Sequence, residues 1–297
     1  MVTVAAESLG PAIEGKEAPV RNAVSTLADT TWSLQQFLDA ARQYGYEGID
    51  LRGIRDVLDI TRMPEFQAGQ LDATLAEVRK RGLQVAGLST SARCSVEPAQ
   101  RREHIDEVAR YCALAERIVL SGDVGRPWIR VFGGKIPDGM SFEKALIESA
   151  DQLRRYGDVA GRHGVVVVVE THDDWCASER IAALVDKAAH PAAAIVWDVH
   201  HPWRTTGESP RQTWDTIGRY VRYVHLKDAR GAPGGPQDLC LTGEGNVPIK
   251  EALTVLRSHN YDGWLTLEWE KRWHPELPSA DQALPAHIEY VRRMLSD

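Results

Sequence analysis

Eight short apolar segments alternate along the chain with eight longer segments that carry apolar residues at helical spacing. The clearest apolar segment is the run of five valines at 165–169, which is typical of a strand buried on both faces of a parallel sheet. Gly45, Gly82 and Gly164 follow three of the helical segments, at the position where glycine commonly ends a helix. We predict strands at 22–27, 48–51, 84–89, 128–132, 165–170, 194–198, 220–226 and 263–268, and helices at 32–44, 70–81, 98–120, 141–163, 178–189, 210–218, 248–259 and 280–295.

Strict alternation of eight strands and eight helices predicts a parallel sheet, and eight strands are the number that closes such a sheet into a (β/α)8 barrel. The competing architecture, an open doubly wound sheet, is expected to carry a glycine-rich phosphate loop after its first strand, but segment 28–32 has no glycine. The 297 residues suit one barrel of about 250 residues with insertions. We therefore predict an α/β protein with a single (β/α)8 TIM barrel as catalytic domain at 19–297, preceded by a mobile N-terminal arm at 1–18.

Charge and composition exclude several classes of partner. The formal net charge is −7, and no segment concentrates Lys and Arg into a basic stripe. No apolar run approaches the roughly 18 residues that a membrane span needs, and charged residues such as Glu14 and Lys16 interrupt the opening segment, where a signal peptide has its apolar core. The four cysteines form no CxxC pair and are most simply explained as reduced thiols. We expect a cytoplasmic protein that binds neither nucleic acid nor membrane.

The last four predicted strands have an acidic residue or a histidine at or next to their ends, namely Glu170, Asp198, His225 and Glu268. A single strand end of this kind is as often an ordinary strand followed by a solvated loop as it is part of a site. Four of them are more informative, because the carboxyl ends of barrel strands meet at one face. Three carboxylates and an imidazole in one place would need large pKa shifts unless a cation joined them. We therefore predict that these four residues bind a divalent metal. Mn²⁺ is the expected ion, Mg²⁺ and Co²⁺ also suit the donors, and Zn²⁺ is left open.

Strand alternation adds two candidates for contact with a substrate. His172 and Lys227 lie two residues beyond the predicted metal ligands of their strands, so each shares its ligand's side if the strand continues. An ammonium at the barrel mouth can polarise a carbonyl or neutralise an alkoxide. The alternatives are a loop histidine in solvent and a lysine paired with a nearby acid, Asp228 or Glu244.

Two arginines and a tryptophan are further candidates at the mouth. Arg130, in the fourth strand, and Arg52, after the second, could bind substrate hydroxyls or a carboxylate, although buried arginines are also common structural partners of acids. Trp175 follows the fifth strand, where an indole can stack on a sugar ring or cap the core. We include Arg130 and Trp175 among the predicted substrate contacts.

Six motifs, in order along the chain, resemble those of the xylose isomerase-like TIM barrels. They are Tyr44-Gly-Tyr-Glu-Gly-Ile-Asp-Leu-Arg52, Glu170-Thr-His172, Asp198-Val-His-His201, His225-Leu-Lys-Asp228, Gly243-Glu-Gly-Asn-Val-Pro248 and Tyr261-Asp-Gly-Trp-Leu-Thr-Leu-Glu268. This superfamily includes sugar isomerases, ketose 3-epimerases, inosose and dehydroshikimate dehydratases and related AP endonucleases. The resemblance implies that the four strand-end residues bind the metal and that His201 contacts the substrate.

The resemblance also implies a divalent-metal-dependent sugar isomerase or epimerase, which abstracts a proton next to a carbonyl and passes through a metal-bound enediolate. A metal that bridges two substrate oxygens stabilises this charge as a Lewis acid. Glu170 and Glu268 come from different strands and can flank the substrate, so that one takes a proton while the other returns it. We therefore predict these two glutamates as the catalytic acid–base pair as well as metal ligands.

The same enolising site would serve a lyase or dehydratase that acts on a keto-sugar, keto-inositol or keto-glycoside, including C-glycoside cleavage. Two departures from the ketose 3-epimerase pattern keep this alternative open. Cys176 stands where those enzymes usually have another glutamate, and Arg230 matches an expected arginine only loosely.

Two minor alternatives concern other kinds of protein. An AP endonuclease-like hydrolase would need histidines from strands two and three, but the first histidine is His104, in a predicted helix. A non-catalytic subunit would be expected to lack one of the four ligands, and all four are present. The expected partner is a small sugar or polyol, and both a homo-oligomer and a hetero-subunit arrangement are left open.

Overall fold

The parallel strands of the chain close into a barrel. A computed structural model describes residues 20–122 and 125–296. The strands are β1 (Arg21–Ser25), β2 (Gly48–Leu51), β3 (Gln84–Arg93), β4 (Trp128–Phe132), β5 (Val167–Glu170), β6 (Ala193–Asp198), β7 (Val221–Leu226), β8 (Asp228–Arg230), β9 (Asp238–Cys240) and β10 (Trp264–Leu267). Strands β1 to β7 and β10 form a closed barrel in which β1 pairs in parallel with β10. The predicted single (β/α)8 barrel is therefore confirmed, while the predicted arm at 1–18 lies outside the described residues.

Helices connect the barrel strands. They are α1 (Leu34–Tyr44), α2 (Leu71–Lys80), α3 (Arg101–Leu120), α4 (Phe142–Arg162), α5 (Ser178–Ala188), α6 (His200–Thr206), α7 (Pro210–Ile217), α8 (Ile249–Ser258) and α9 (Ala280–Ser296). Ser141 caps α4 by accepting a hydrogen bond from the backbone N–H of Lys144, and Gly45 ends α1 in a left-handed conformation at a φ of 84°. In the part of the chain that the structure describes, no helix is long and apolar enough to cross a bilayer.

Two elements at the C-terminal face of the barrel differ from the predicted order. α6 follows β6 almost directly, and its sequence, His-His-Pro-Trp-Arg-Thr-Thr, has no apolar periodicity that would predict a helix. β8 and β9 form an antiparallel hairpin after β7, with strands of only three residues each around a segment rich in Gly and Pro. Both elements extend over the barrel mouth and help to line the site described below.

The bounds of several predicted strands also shift, and β5 begins at Val167, two residues after its predicted start. β1 ends at Ser25, two residues before the predicted end, because Thr26–Ala28 form a 3-10 turn. β3 continues past residue 89 to Arg93, which pairs with Phe132 of β4 after an irregularity in register.

Side chains of the barrel strands alternate between two hydrophobic clusters. Val167 and Val169 join the large cluster, which also contains the buried faces of the helices, whereas Val168 joins a smaller one. The smaller cluster comprises Ala23, Ala86, Val168, Ala194, Val196, Tyr223 and Trp264. Because side chains alternate from one face to the other, the next positions on the inner face lie two residues further along each strand. These positions are Glu170, Asp198 and His225.

Candidate metal and substrate site

Four polar side chains converge at the C-terminal mouth of the barrel. They are Glu170 at the end of β5, Asp198 at the end of β6, His225 in β7 and Glu268 directly after β10. Each offers a ligand atom, and these atoms all lie within 4.8 Å of one another. All four side chains are buried, and the most exposed, Glu268, is 6% exposed. The structure thus brings together the four residues whose strand-end positions predicted a metal site.

The chemistry of this cluster fits a divalent metal ion. Glu170 Oε2 and Asp198 Oδ2 accept no hydrogen bond from the described residues, although Arg130 Nε lies 3.4 Å from the first and Lys227 Nζ 2.8 Å from the second. His225 Nδ1 faces Glu170 Oε1 at 3.2 Å. Three carboxylates and one imidazole match the oxygen-rich donor sets that Mn²⁺, Mg²⁺ and Co²⁺ prefer, and Zn²⁺ accepts the same ligand types.

Burial and neighbouring charges perturb the members of the cluster in different directions. Burial raises the pKa of Asp198 to about 6, against a lowering by Lys227. Burial also raises the pKa of Glu268, but the cations around it, Lys227 first, outweigh burial and hold that pKa well below its usual range. Burial lowers the pKa of His225, yet the surrounding carboxylates, Glu268 first, raise it to about 10. The cluster therefore favours added positive charge, which a bound metal ion would provide.

A buried carboxylate stands behind the histidine of the cluster. Asp50, in β2, places Oδ2 3.8 Å from His225 Nε2, on the side of the ring opposite Glu170. Asp50 also accepts hydrogen bonds from Ser89 Oγ at 2.9 Å and from Tyr223 Oη at 2.9 Å. His225 Nε2 makes no hydrogen bond to the described residues, so Asp50 acts on this side of the ring through its charge.

Lys227 lies inside the acidic cluster. Its Nζ is 2.8 Å from Asp198 Oδ2 and 2.7 Å from Glu268 Oε2, and it also contacts Glu270. Burial lowers the pKa of Lys227, but these carboxylates outweigh burial and raise it well above its usual value. An ammonium therefore supplies part of the positive charge that the cluster needs.

The two acids considered as alternative partners of Lys227 have partners of their own. Asp228 accepts hydrogen bonds from the backbone N–H groups of Gly243 and Gly245 and so orders the loop after β9. Glu244 pairs with Arg230 at 2.5 Å, where both side chains are about half exposed. Lys227 thus contacts the metal cluster rather than these acids, and Arg230 lies at the surface.

Two buried arginines complete the opposite side of the mouth. Arg130 pairs with Glu170 at 3.4 Å and donates a hydrogen bond to the backbone carbonyl of Thr90 at 3.2 Å. Arg52 donates to Ser91 Oγ at 3.1 Å, while its Nη1 has no hydrogen-bond partner among the described residues. Burial lowers the pKa of Arg52 to about 10, and Arg130 adds to this effect. Arg130 thus pairs with an acid of the cluster, which is the alternative to substrate binding that the sequence left open.

His201 and His172 lie beside the cluster, with their rings 4.7 Å apart and nearly perpendicular. His201 Nδ1 lies 2.7 Å from the backbone carbonyl of Thr171, which can only accept a hydrogen bond. The proton of the neutral ring is therefore on Nδ1, and Nε2 is left as an acceptor. His172 Nδ1 lies 3.1 Å from Asp173. Burial lowers the pKa of His172, but Asp173 and Glu170 together outweigh burial and raise it.

A cavity of about 140 Å³ opens next to these two histidines. Its lining comprises His172, His200, His201, Arg204, Gln237, Leu239, Glu270 and His274. A larger cavity of about 520 Å³ lies at the other end of the barrel, near Arg21 and Trp264, but no carboxylate or imidazole lines it among the described residues. Because barrel enzymes place their chemistry at the C-terminal face, the smaller cavity is the candidate substrate pocket.

The family known as the xylose isomerase-like TIM barrels matches residues 38–294 of the chain. This protein belongs to that family. A curated relative, the inosose dehydratase of Clostridium botulinum, is 24% identical over 140 residues, which span 41% of this chain and 46% of the relative, so that less than half of the relative is matched.

Three solved structures share the fold of this protein. The probable 3-DHS dehydratase AsbF of Bacillus anthracis is 20% identical, with a TM-score of 0.75 over 92% of this chain and 99% of AsbF. The IolI protein, solved with a zinc atom, is 14% identical, with a TM-score of 0.74 over 93% and 98% of the two chains. The 3-keto-D-glucoside 4-epimerase YcjR of E. coli is 14% identical, with a TM-score of 0.72 over 93% and 100%. At these identities the likeness shows the fold alone.

Trp175 does not line the candidate substrate pocket. Its indole is fully buried, 5.8 Å from the ring of Phe142, and packs so closely on Gly133 that a β-carbon there would lie 2.3 Å from it. The adjacent Cys176 is also buried and donates its thiol hydrogen to the carbonyl of Asp173 at 2.9 Å. The structure therefore gives Trp175 a packing role, the alternative that was open for it.

Several polar residues of the site were not singled out in the sequence, namely Asp50, His200, Gln237, Glu270 and His274. Two of them carry a signal that could have found them. Asp50 lies near the end of β2 just as Asp198 ends β6, and Glu270 lies two residues beyond Glu268. The other three lie on α6, on the loop of the β8–β9 hairpin and on the loop after β10, where no periodicity points inward.

Proposed function

We propose that the protein is a divalent-metal-dependent sugar isomerase or epimerase, which removes and returns a proton next to a carbonyl through an enediolate. One observation carries the proposal: two buried glutamates from β5 and β10 share one site, and each faces its own cation. Arg130 lies 3.4 Å from Glu170, and Lys227 lies 2.7 Å from Glu268. Two separately held carboxylates suit a reaction in which one group takes a proton and the other returns it.

The residues of the site divide the work as follows. Arg130 and Lys227 hold the carboxylates of Glu170 and Glu268 in place and favour their ionised forms, so that either can accept a proton from carbon. His201 Nε2 can accept a hydrogen bond from a substrate hydroxyl and orient the ring. A metal ion held by the four-residue cluster, for which Mn²⁺ is our choice, would supply a Lewis acid for the charge that develops on substrate oxygen.

A second candidate, a lyase or dehydratase, has support of its own. The curated relative and the AsbF structure both carry the names of dehydratases. Dehydration begins with the same proton removal by a glutamate, after which the C–O bond at the next carbon breaks and the hydroxyl leaves as water with a proton from the enzyme. His172 is suited to give that proton, because Asp173 raises its pKa and its ring lines the cavity. The buried Cys176 supports this candidate over epimerisation of free ketoses.

We propose a small sugar or polyol as the ligand, in keeping with the names of the relatives. The small cavity and its polar lining support this choice over a polymer. The four buried thiols, none of which forms a disulfide, fit our expectation of a reducing cytoplasm.

The test is proton NMR in D₂O with Mn²⁺-reconstituted protein and a panel of ketoses, keto-inositols and 3-keto-glycosides. We expect deuterium to enter the carbon next to the carbonyl. Glu268→Gln should slow this exchange by about 10² to 10⁴. Glu143→Gln, at an exposed glutamate in the first turn of α4, is the matched control and should exchange normally.

The products of the same experiment choose between the two candidates. A retained carbon skeleton with an inverted or moved centre identifies an isomerase or epimerase, whereas release of water or of an aglycone identifies a lyase. Metal content is measured alongside, because Glu268 is also a predicted ligand. If metal-loaded wild-type protein exchanges no substrate of the panel, enolisation of these compounds is wrong.

A further inference from the structure

The cavity of about 520 Å³ lies at the end of the barrel opposite the metal cluster. Residues at or next to the starts of five barrel strands line it, namely Arg21, Gln84, Trp128, Val166 and Trp264. Trp264 belongs to the smaller hydrophobic cluster and packs so closely on β2 that a β-carbon at Gly48 would lie 2.6 Å from its ring. The cavity therefore leads from the N-terminal end of the barrel to its apolar interior.

Apolar side chains are left partly exposed around this cavity. Trp128 and Val166 pack against the smaller hydrophobic cluster but are only partly buried. On the rim, Leu120 at the end of α3 is 78% exposed and follows Val119, which lines the cavity. Contiguous apolar surface of this kind marks a place where another segment or molecule binds.

Two guanidinium groups give the cavity a positive charge. The guanidinium carbon of Arg21 lies 4.2 Å from the centroid of the Trp264 ring, and Arg21 donates a hydrogen bond to Gln84 Oε1 at 3.1 Å. Arg126 lines the cavity from the segment before β4 and is exposed. Among the described residues that line the cavity there is no carboxylate to oppose this charge. The cavity thus suits a peptide segment that carries both apolar and acidic side chains.

The chain carries such a segment directly beside the cavity. Arg21 is the first residue of β1 and lines the cavity, so segment 1–19 joins the described chain at the cavity rim. The segment has three glutamates against one lysine, and its apolar side chains include Leu9 and Ile13. A sphere of about 520 Å³ is about 10 Å across, which a few extended residues at ~3.3–3.6 Å each can cross. Ile13, eight residues before Arg21, can therefore reach any part of the cavity.

We propose that segment 1–19 docks over this cavity and closes the N-terminal end of the barrel, with its apolar side chains against Trp128 and its glutamates beside Arg21 and Arg126. The sequence alone predicts a mobile arm at 1–18, and the cavity supplies the partners that hold this arm. Because the segment is tethered at the rim, its effective concentration there is high, and modest contacts suffice to dock it. The docking site lies away from the metal cluster and does not depend on the proposed function.

Solvent contact of Trp128 gives the first reading, in the full chain labelled with 5-fluorotryptophan. The ¹⁹F signal of Trp128 is assigned by its loss in Trp128→Phe, and its shift between H₂O and D₂O reports contact with solvent. Leu9→Ser combined with Ile13→Ser should increase this solvent shift about two-fold or more, because an arm without apolar anchors is not tied down. Trp273, which is 50% exposed in the loop after β10, is the internal control and should not change. If Trp128 responds to solvent equally in both proteins, the docking is refuted.

Charge gives the second reading, through the heteronuclear ¹H–¹⁵N NOE of protein labelled with ¹⁵N-alanine. If segment 1–19 is docked, its alanines have NOE values close to those of alanines in the barrel strands. Arg126→Glu should lower the values of the segment, because it places a like charge beside the glutamates. Adding Glu14→Arg and Glu17→Arg should restore them, since opposite charges then face each other again. Arg211→Glu, at an exposed arginine in the first turn of α7, is the matched control and should change nothing.

Two results of this second reading would overturn the proposal. One is a set of NOE values for segment 1–19 that is already low in wild type, as expected of an arm that does not contact the barrel. The other is an Arg126→Glu protein whose values equal those of wild type, because the cationic rim would then play no part in docking.

A second copy of the chain is the other candidate occupant, because Leu120 is exposed on the rim. Sedimentation velocity and the solvent shift of Trp128 are therefore measured over a wide range of protein concentration. Shelter of Trp128 that does not change with concentration supports the tethered segment. If the shelter is lost on dilution as a dimer dissociates, a second copy covers the cavity and the proposal is refuted.

Discussion

Replacing Lys227 by methionine is the sharpest test of how the acidic cluster is stabilised. Methionine keeps much of the apolar stem but removes the ammonium that lies 2.8 Å from Asp198 and 2.7 Å from Glu268. Because Lys227 is 1% exposed, water cannot replace that charge without rearrangement. Removing one partner of a buried ion pair costs about 3–5 kcal/mol.

That loss translates into a shift large enough to measure. One kcal/mol lowers the melting temperature by roughly 2–4 °C for a domain of 150–250 residues, so metal-free Lys227→Met should melt roughly 6–20 °C below wild type. A bound divalent cation neutralises the same carboxylates. Mn²⁺ should therefore stabilise Lys227→Met more than it stabilises wild type and recover much of the difference.

The assay is thermal unfolding followed by circular dichroism, in EDTA and in excess Mn²⁺. The control is Lys80→Met, the same chemical change at a side chain that is 75% exposed and 4.0 Å from Glu77, which should stay within about 0.5 kcal/mol of wild type. If metal-free Lys227→Met has the same melting temperature as wild type, the charge argument is refuted. An equal gain from Mn²⁺ in both proteins would show that the lysine and the metal act on different groups.

Two further predictions concern stability away from the cluster. Asp59→Asn should destabilise the protein by about 1 kcal/mol at pH 7, because Arg110, whose side chain is 39% exposed, pairs with Asp59 at 2.8 Å in a partly screened contact. The pKa of Asp59 is lowered on folding, because its hydrogen bonds outweigh the effect of burial, which raises it. In urea unfolding, the difference in stability between wild type and Asp59→Asn should therefore be complete above the ordinary pKa of 3.8 and disappear as the pH falls through the lower folded pKa. A difference that stays constant with pH contradicts the reasoning. Gly133→Ala should cost about 1–3 kcal/mol of stability, because the new β-carbon would lie 2.3 Å from Trp175. Gly69→Ala is the control, since a β-carbon at Gly69 meets nothing within 4 Å. Equal urea midpoints for the two variants would show that the Trp175 indole moves aside without cost.

The barrel could be predicted because each of its parts leaves a local signal. Buried strands such as β5 and β6 are apolar runs of strand length, and the helices carry an apolar face, with Gly45 directly after α1. Eight such pairs leave few ways to bury both faces of the sheet. The ends of strands remained the weakest part, since the 3-10 turn after β1 and the irregular extension of β3 depend on their neighbours.

The convergence of Glu170, Asp198, His225 and Glu268 could also be predicted, because a parallel barrel brings the carboxyl ends of its strands together whatever their loops do. The partners of Lys227 could not. Alternation places Lys227 on the side of His225, but only the distances between β6, β7 and β10 decide that it reaches Asp198 and Glu268 rather than Asp228. The packing of Trp175 likewise depends on Gly133, 42 positions earlier in the numbering, coming into contact with it.

The β8–β9 hairpin lends one wall to the pocket, through Gln237 and Leu239, yet in the described chain its two strands pair with each other and not with the barrel. The hairpin sequence can therefore change without removing hydrogen bonds between the strands that close the barrel. This wall of the candidate pocket and the paired strands of the barrel thus lie in separable parts of the chain. Hairpins of other lengths could therefore be grafted between β7 and α8 and tested for new ligands while the barrel stays unchanged.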